Sequence, residues 1–121
     1  MMEKVKLEIS PGVIISIASK AAMEVRGVYG LEGGINVSLW RRTQPHGVKV
    51  EILGNKIKLE LYIIAEEGYY LPEVGLNLQE HVKEEIERVT GMRVEKIDVY
   101  IQGIQFSKSI ESKGAEQNES V

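Results

Sequence analysis

Residues 71–91 read LPEVGLNLQEHVKEEIERVTG, and the spacing of their apolar side chains decides the fold. Leu71, Val74, Leu78, Val82, Ile86 and Val89 recur at intervals of three and four, which draws one apolar stripe along a helix and leaves the opposite side almost wholly charged. Pro72 suits the first helical turn, where its missing N–H has no partner to lose, and Gly91 can take the positive φ that stops a helix just after the basic Arg88. Glu84 precedes Arg88 by four and Glu80 precedes Lys83 by three. Such pairs support an isolated helix by about 0.2–0.5 kcal/mol each, so these charges read as a solvated face and not as a site. A helix with a single apolar stripe needs a sheet to cover.

The segments on either side supply one. Val48, Val50 and Ile52 alternate with Lys49 and Glu51, Gly54-Asn55 marks a tight turn, and Ile57, Leu59, Leu61 and Ile63 alternate with Lys58, Glu60 and Tyr62, a β-hairpin pattern. After the helix, Val94, Ile97, Val99 and Ile101 fill one face of a last strand, with Asp98, Tyr100 and Gln102 on the other; Gly103 permits a bulge before Ile104 and Phe106. Nearer the N-terminus, Val5, Leu7 and Ile9 alternate with Lys4, Lys6 and Glu8, the period of a first strand. Ser10-Pro11 then opens a helix with Ile14, Ile17, Ala18, Ala21 and Val25 on one face and Gly27 at its end. Ala18, Ala21 and Ala22 leave room for a neighbouring backbone, and Gly75 on the long helix, costing about 1 kcal/mol relative to alanine, suggests a packing reason of its own. Val28, Tyr29 and Leu31 form a short strand, and residues 34–47, GINVSLWRRTQPHG, follow as a surface loop with no sustained period.

Composition narrows the function classes. The 121 residues suffice for one core and not for two. With no cysteine there is no disulfide framework, thiolate nucleophile or cysteine metal site, which fits a reducing cytoplasm. His46 and His81 sit in different elements without HxH or HExxH spacing, so no metal or other cofactor is expected. No apolar run approaches the roughly 20 residues of a membrane span, and the opening MMEKVKLEIS lacks a signal-peptide core. A net charge of -3 argues against affinity of the whole surface for nucleic acid. Residues 107–121, SKSIESKGAEQNESV, hold Ile110 and Val121 as their only large apolar residues and read as a disordered tail.

Residues 48–106 resemble the alkaline shock protein family of bacterial envelope-stress proteins. Gly68, Leu71-Pro72, Val74, Leu78, Val82, Thr90-Gly91, Val94, Val99, Gly103 and Phe106 stand where that family has a glycine ending the hairpin, an apolar-proline helix start, a Thr-Gly helix end and a final valine-rich strand. The Ile9-Ser10-Pro11 opening and the Glu24-Val25-Arg26-Gly27-Val28 segment extend the likeness over residues 5–106. Tyr70 and Asp98 depart from it, since the family often has asparagine at both places; partner contacts through those groups are therefore in doubt, and the core is not. The resemblance implies a non-catalytic cytoplasmic protein, self-assembling in some members and held near the membrane by a partner protein, in others tied to stress response or lipid metabolism.

Four stretches merit a chemical reading. Trp40-Arg41-Arg42, with His46 nearby, joins aromatic and basic groups in one loop and suits an acidic protein partner ahead of a lipid or nucleic-acid phosphate; the plainer alternative is a tryptophan folded onto the core with solvated arginines. Gly30-Leu31-Glu32-Gly33 has the GxxG spacing of KH-type RNA modules, but its glutamate repels phosphate. His81 and Glu85 have an i, i+4 spacing open to a metal or a proton, although an exposed histidine on a charged helix face is commoner. Glu66-Glu67 could pass for paired acids, but no nucleophile or phosphate loop accompanies them, so no catalytic residue is assigned. On the sheet itself, Tyr62, Ile64 and Tyr100 replace the charges found earlier on the wet face and mark a surface for self-association.

The expectation is an α+β fold in the order β-α-β-β-β-α-β, a small mixed or antiparallel sheet with two helices packed on one face. Residues 1–106 form a single domain and 107–121 the tail. The core is expected to hold Ile9, Ile14, Ile17, Ala18, Ala21, Val25, Val50, Ile52, Leu59, Leu61, Ile63, Val74, Leu78, Val82, Ile86, Val89, Ile97, Val99 and Ile101. The functional expectation is a non-enzymatic stress-response scaffold or adaptor acting through protein contacts and homo-oligomerisation, with a small KH-like RNA-binding module as the rival.

Overall fold

The computed structural model describes residues 5–32 and 47–107. Its elements run α1 (Pro11–Met23), β1 (Val28–Leu31), β2 (Val48–Leu53), β3 (Lys56–Glu66), α2 (Leu71–Thr90) and β4 (Arg93–Gln105). The α+β class and the two helices on one face of the sheet are as the sequence implies. Within the expected choice of sheets the pairing is mixed: β1 and β2 are antiparallel to β3, and β4 is parallel to it.

Strand β3 is the spine. Its residues Ile57, Leu59, Leu61, Ile63 and Ala65 are each no more than 2% exposed. On one edge it pairs with β2 from Lys56 to Leu61 and then with β1 from Ile63 to Ala65, so two short strands lie end to end along one long one. The other edge carries β4 for its whole length. A parallel partner cannot be reached by a tight turn, and α2 makes the crossover. The inner face of β3 meets Ile14, Ala18, Ala21 and Ala22 of α1 and Val74, Leu78, Val82 and Ile86 of α2 in one cluster. Each large side chain fully buried there is worth about 1.5–3 kcal/mol.

Helix α2 begins with Pro72 in its first turn and ends at Gly91, φ 76°. The Thr90 hydroxyl donates to the Ile86 carbonyl and accepts the Met92 N–H, turning the chain into β4. Glu87 completes that junction by accepting the Val94 N–H at 2.8 Å. Gly27 is fixed for two reasons: its φ is 96°, and a Cβ there would stand 2.7 Å from Val74 Cγ2 and 3.0 Å from the Tyr69 ring. The bulge expected at Gly103 appears as a register shift in which Ile63 opposes Ile101 and Ile64 opposes Gly103.

Four expectations are corrected. Helix α1 ends at Met23 with Glu24 as its C-cap, not at Gly27, so Val25 is buried from the turn that follows the helix. Residues 5–10 form no strand, so the described order is α-β-β-β-α-β. Val5 and Leu7 are 74% and 76% exposed, while Ile9 packs against the core. Alternation can give a segment two faces, but a strand also needs an edge to pair with, and this segment joins no ladder. Val89 is 53% exposed because at the last turn the stripe has rotated away from the sheet, and Ile86 is the final buried position. Gly75 has no packing partner, since a Cβ there would meet nothing within 4 Å.

Leu78→Ala is expected to cost about 2–4 kcal/mol, as a buried truncation does, whereas Val89→Ala should stay within about 0.5 kcal/mol. Urea unfolding of both variants beside the wild type measures the contrast.

Candidate functional site

The face of the sheet turned away from the helices is built in rows by the strand register. Crossing from β2 through β3 to β4, Glu51, Lys58 and Lys96 lie abreast, and in the next row Lys49, Glu60 and Asp98. Beyond them Tyr62 stands beside Tyr100, and then Ile64 beside Gly103. The face therefore changes from charged to aromatic and apolar along the strands.

Tyr62 and Tyr100 stack with ring centroids 4.8 Å apart and planes 11° from parallel. Directly opposed residues in neighbouring strands are close enough for aromatic pairs of this kind, which are worth about 0.5–1.5 kcal/mol beyond their buried area. The Tyr62 hydroxyl donates to Glu60 Oε1 at 2.6 Å, and this bond to the carboxylate, with partial burial and the Glu60 charge, pushes the phenol up to about 12. Lys49 Nζ lies 5.5 Å from the centre of the Tyr62 ring, within cation–π range. Tyr100 is 41% exposed, and Ile64 is half-buried with its Cδ1 close over Gly103. The sequence-predicted trio Tyr62, Ile64 and Tyr100 is thus one contiguous patch.

Trp40, Arg41, Arg42 and His46 lie outside the described residues, as does the tail from residue 108. The two points between which residues 33–46 run are nevertheless fixed: the Glu32 N–H donates to the Tyr62 carbonyl and the Tyr62 N–H donates to the Gly47 carbonyl, both at 2.8 Å. Glu32 and Gly47 are thus both held on the backbone of Tyr62.

The other stretches are occupied structurally. Gly30 and Leu31 pair with Ile64 and Ile63 in the sheet, so they are not part of a loop free to clamp a phosphate backbone. His81 Nε2 lies 2.7 Å from Glu24 Oε1 and ties α2 to the end of α1. That bond, with the one from Lys20, holds the Glu24 carboxyl below its usual range. Glu85 binds Arg88, not His81. Glu67 accepts the Ser107 N–H at 2.7 Å, closing the end of β4. Among the described residues no group of three or more His, Cys, Asp or Glu side chains could hold a metal ion.

With this fold and face in place, comparison with known proteins identifies the class. The alkaline shock protein 23 family, which is the alkaline shock protein family and is described as having a cell envelope-related function, matches residues 2–106, and the chain belongs to that family. It is similar to YqhY of Bacillus subtilis, 32% identical over 105 residues that cover 84% of this chain and 78% of that one. It is also similar to YloU of the same organism, 29% identical over 108 residues covering 84% and 90%. A homolog of the stress response regulator gls24 from Streptococcus pyogenes is 26% identical over 106 residues, 84% of this chain but 59% of that longer protein. Among solved structures, the nickel and zinc forms of the MamM CTD share the fold at 17% identity, with TM-scores of 0.55 and 0.53, each over 76% of this chain and 96% and 84% of theirs.

The helix–strand junction predicts an acid response. The backbone bond from Val94 and then the Lys83 ammonium hold the Glu87 carboxyl below its usual range. A carboxyl depressed on folding contributes stability above its unfolded value, about 4.3, and that contribution is lost as pH falls through the folded value. Glu87→Gln should therefore be less stable than wild type at neutral pH, with the two converging in acid. Thermal midpoints of both proteins from about pH 2 to about pH 7 measure it.

Proposed function

We propose that this chain is a non-enzymatic scaffold or adaptor in the cell-envelope or general stress response of a bacterium, acting through protein–protein contacts and association with copies of itself. The observation that carries the reading is the Tyr62–Tyr100 stack with Ile64 beside it, on the one sheet face that neither helix covers. Apolar and aromatic residues gathered on an otherwise charged sheet face are characteristic of a contact surface. Family membership and the similarity to a stress response regulator homolog supply the biological setting. No helix among the described residues is long and apolar enough to cross a membrane, so on this reading a protein partner, itself membrane-anchored, would hold this cytoplasmic chain near the envelope. The site needs no cofactor.

The RNA-binding alternative has less support, because Gly30 and Leu31 are committed to β1. The Trp40, Arg41, Arg42 and His46 segment remains the proposed site for the other protein, on the grounds of its chemistry and of ends that meet beside the tyrosines.

Two measurements test this reading. Light scattering should show wild-type mass above that of a monomer, reduced by Tyr62→Lys or Tyr100→Lys; a strictly monomeric wild type across the concentration range would remove the self-association claim. Joint Trp40→Ala and Arg41→Ala substitution should abolish capture of a specific cellular protein while leaving the thermal midpoint nearly unchanged. A large fall in the midpoint would instead make Trp40 a core residue.

A further inference from the structure

The charges on the outer sheet face form a pattern that is its own complement. Glu51, Lys58 and Lys96 form one row, and Lys49, Glu60 and Asp98 the next. In every strand the sign reverses between the two rows. A two-fold axis lying in the plane of the face, perpendicular to the strands and midway between these rows, brings each row against the other row of a second copy. Glu51 then meets the second copy's Lys49, Lys58 its Glu60, and Lys96 its Asp98, so that all contacts across the axis are between opposite charges.

The same operation carries the tyrosine row onto the row one step beyond the other charged row, that of Leu53, Lys56 and Arg93. Tyr62 comes over Lys56 and Tyr100 over Arg93 of the second copy, cations over aromatic faces. A two-fold axis parallel to the strands does the reverse on β3, setting Lys58 against Lys58 and Glu60 against Glu60. We infer that this chain forms a face-to-face two-fold dimer with its strands crossing antiparallel between copies, specified by the Lys58–Glu60 and Lys96–Asp98 rows and flanked by the tyrosines. The inference rests on the self-association reading above and adds its geometry.

Magnitudes set the conditions. Three strands about 4.8 Å apart and about nine residues long cover on the order of 400 Å² in projection. That is below the roughly 800 Å² per partner of a standard stable interface, so the dimer is weak and dominated by exposed charge. It should form at high protein concentration and low ionic strength and weaken as salt screens the rows. Twisted sheets pack about 30° from alignment, so rows nearest the axis keep their register best. Lys58 and Glu60 on the central strand are accordingly the decisive pair.

The test uses the full chain in sedimentation equilibrium at low and high salt, with the thermal midpoint as a fold check. Wild type should be a monomer–dimer equilibrium that salt weakens. Lys58→Glu or Glu60→Lys alone places like charges at both central contacts and should weaken association on the order of tenfold. An equimolar mixture of the two single variants restores opposite charges at both contacts and should recover wild-type dimerisation, as should the double variant. If either β3 variant fails to fold, Lys96→Glu mixed with Asp98→Lys tests the same geometry on β4. Wild type that stays monomeric at every concentration overturns the self-association reading together with this one. Association unaffected by the single variants, or mass that keeps growing past a dimer, overturns the two-fold geometry alone.

Discussion

Everything in this molecule depends on one strand being hydrogen-bonded along both edges while only one of its faces is covered. Strand β3 has eleven residues, longer than either antiparallel neighbour. No single short hairpin arm can satisfy its edge, so β2 and β1 divide it between them. The opposite edge takes a parallel strand of thirteen residues, which fixes the need for a helical crossover and puts α2 against α1 on the inner face. The buried side of β3 is continuous Ile, Leu and Ala from Ile57 to Ala65, and the helices follow from it.

The division of one edge between two strands has a second effect. Where β1 stops and β2 starts, Tyr62 receives a bond from Glu32 and gives one to Gly47. Gly47 can stand so close to the end of β1, 2.9 Å from a hypothetical Cβ to Leu31 Cβ, because it has no side chain and a φ of 92°. Backbone economy at this point places the ends of a long segment beside the aromatic row. The fold thereby holds Glu32 and Gly47 on the backbone of the residue that opens its non-charged outer surface, with the packing of the inner face untouched.

Much of this was legible in the residues because period alone separates inner from outer. The hairpin, both helices, the Gly91 stop and the Gly103 bulge all have local chemical causes. So does the Tyr62, Ile64 and Tyr100 patch, since a change of residue type on one face of a strand can be read without knowing the partner strand. What depended on non-local pairing could not be read. The pattern at Val5, Leu7 and Ile9 resembles a strand, yet the ladder it needs is absent, and Val89 has helical spacing but lies past the sheet. Ile15, Ala22, Val28, Val48, Ile57, Ala65 and Val94 are buried although they were not expected in the core. At Val94 the face was legible, since the last strand has it beside Ile97, and the register shift between Ile57 and Lys58 is what keeps both inward three residues apart. The His81–Glu24 contact, 57 positions apart, was equally invisible.

The likeness to the MamM CTD separates fold from function on physical grounds. A four-stranded sheet backed by two helices is an economical way to bury one face of a long strand, and sequences only 17% identical can share it. Its inner face is constrained by packing density and admits little chemical variation. The outer face carries no such constraint, so its residues are free to define what the protein meets. Here they form two rows of reversing charge followed by stacked aromatic rings. Charges alternating in sign cost little in solution, because each is solvated and several already have a partner within the same copy, as Lys96 has Asp98 at 3.5 Å. Such a surface has register, and register is what allows a weak contact to be selective.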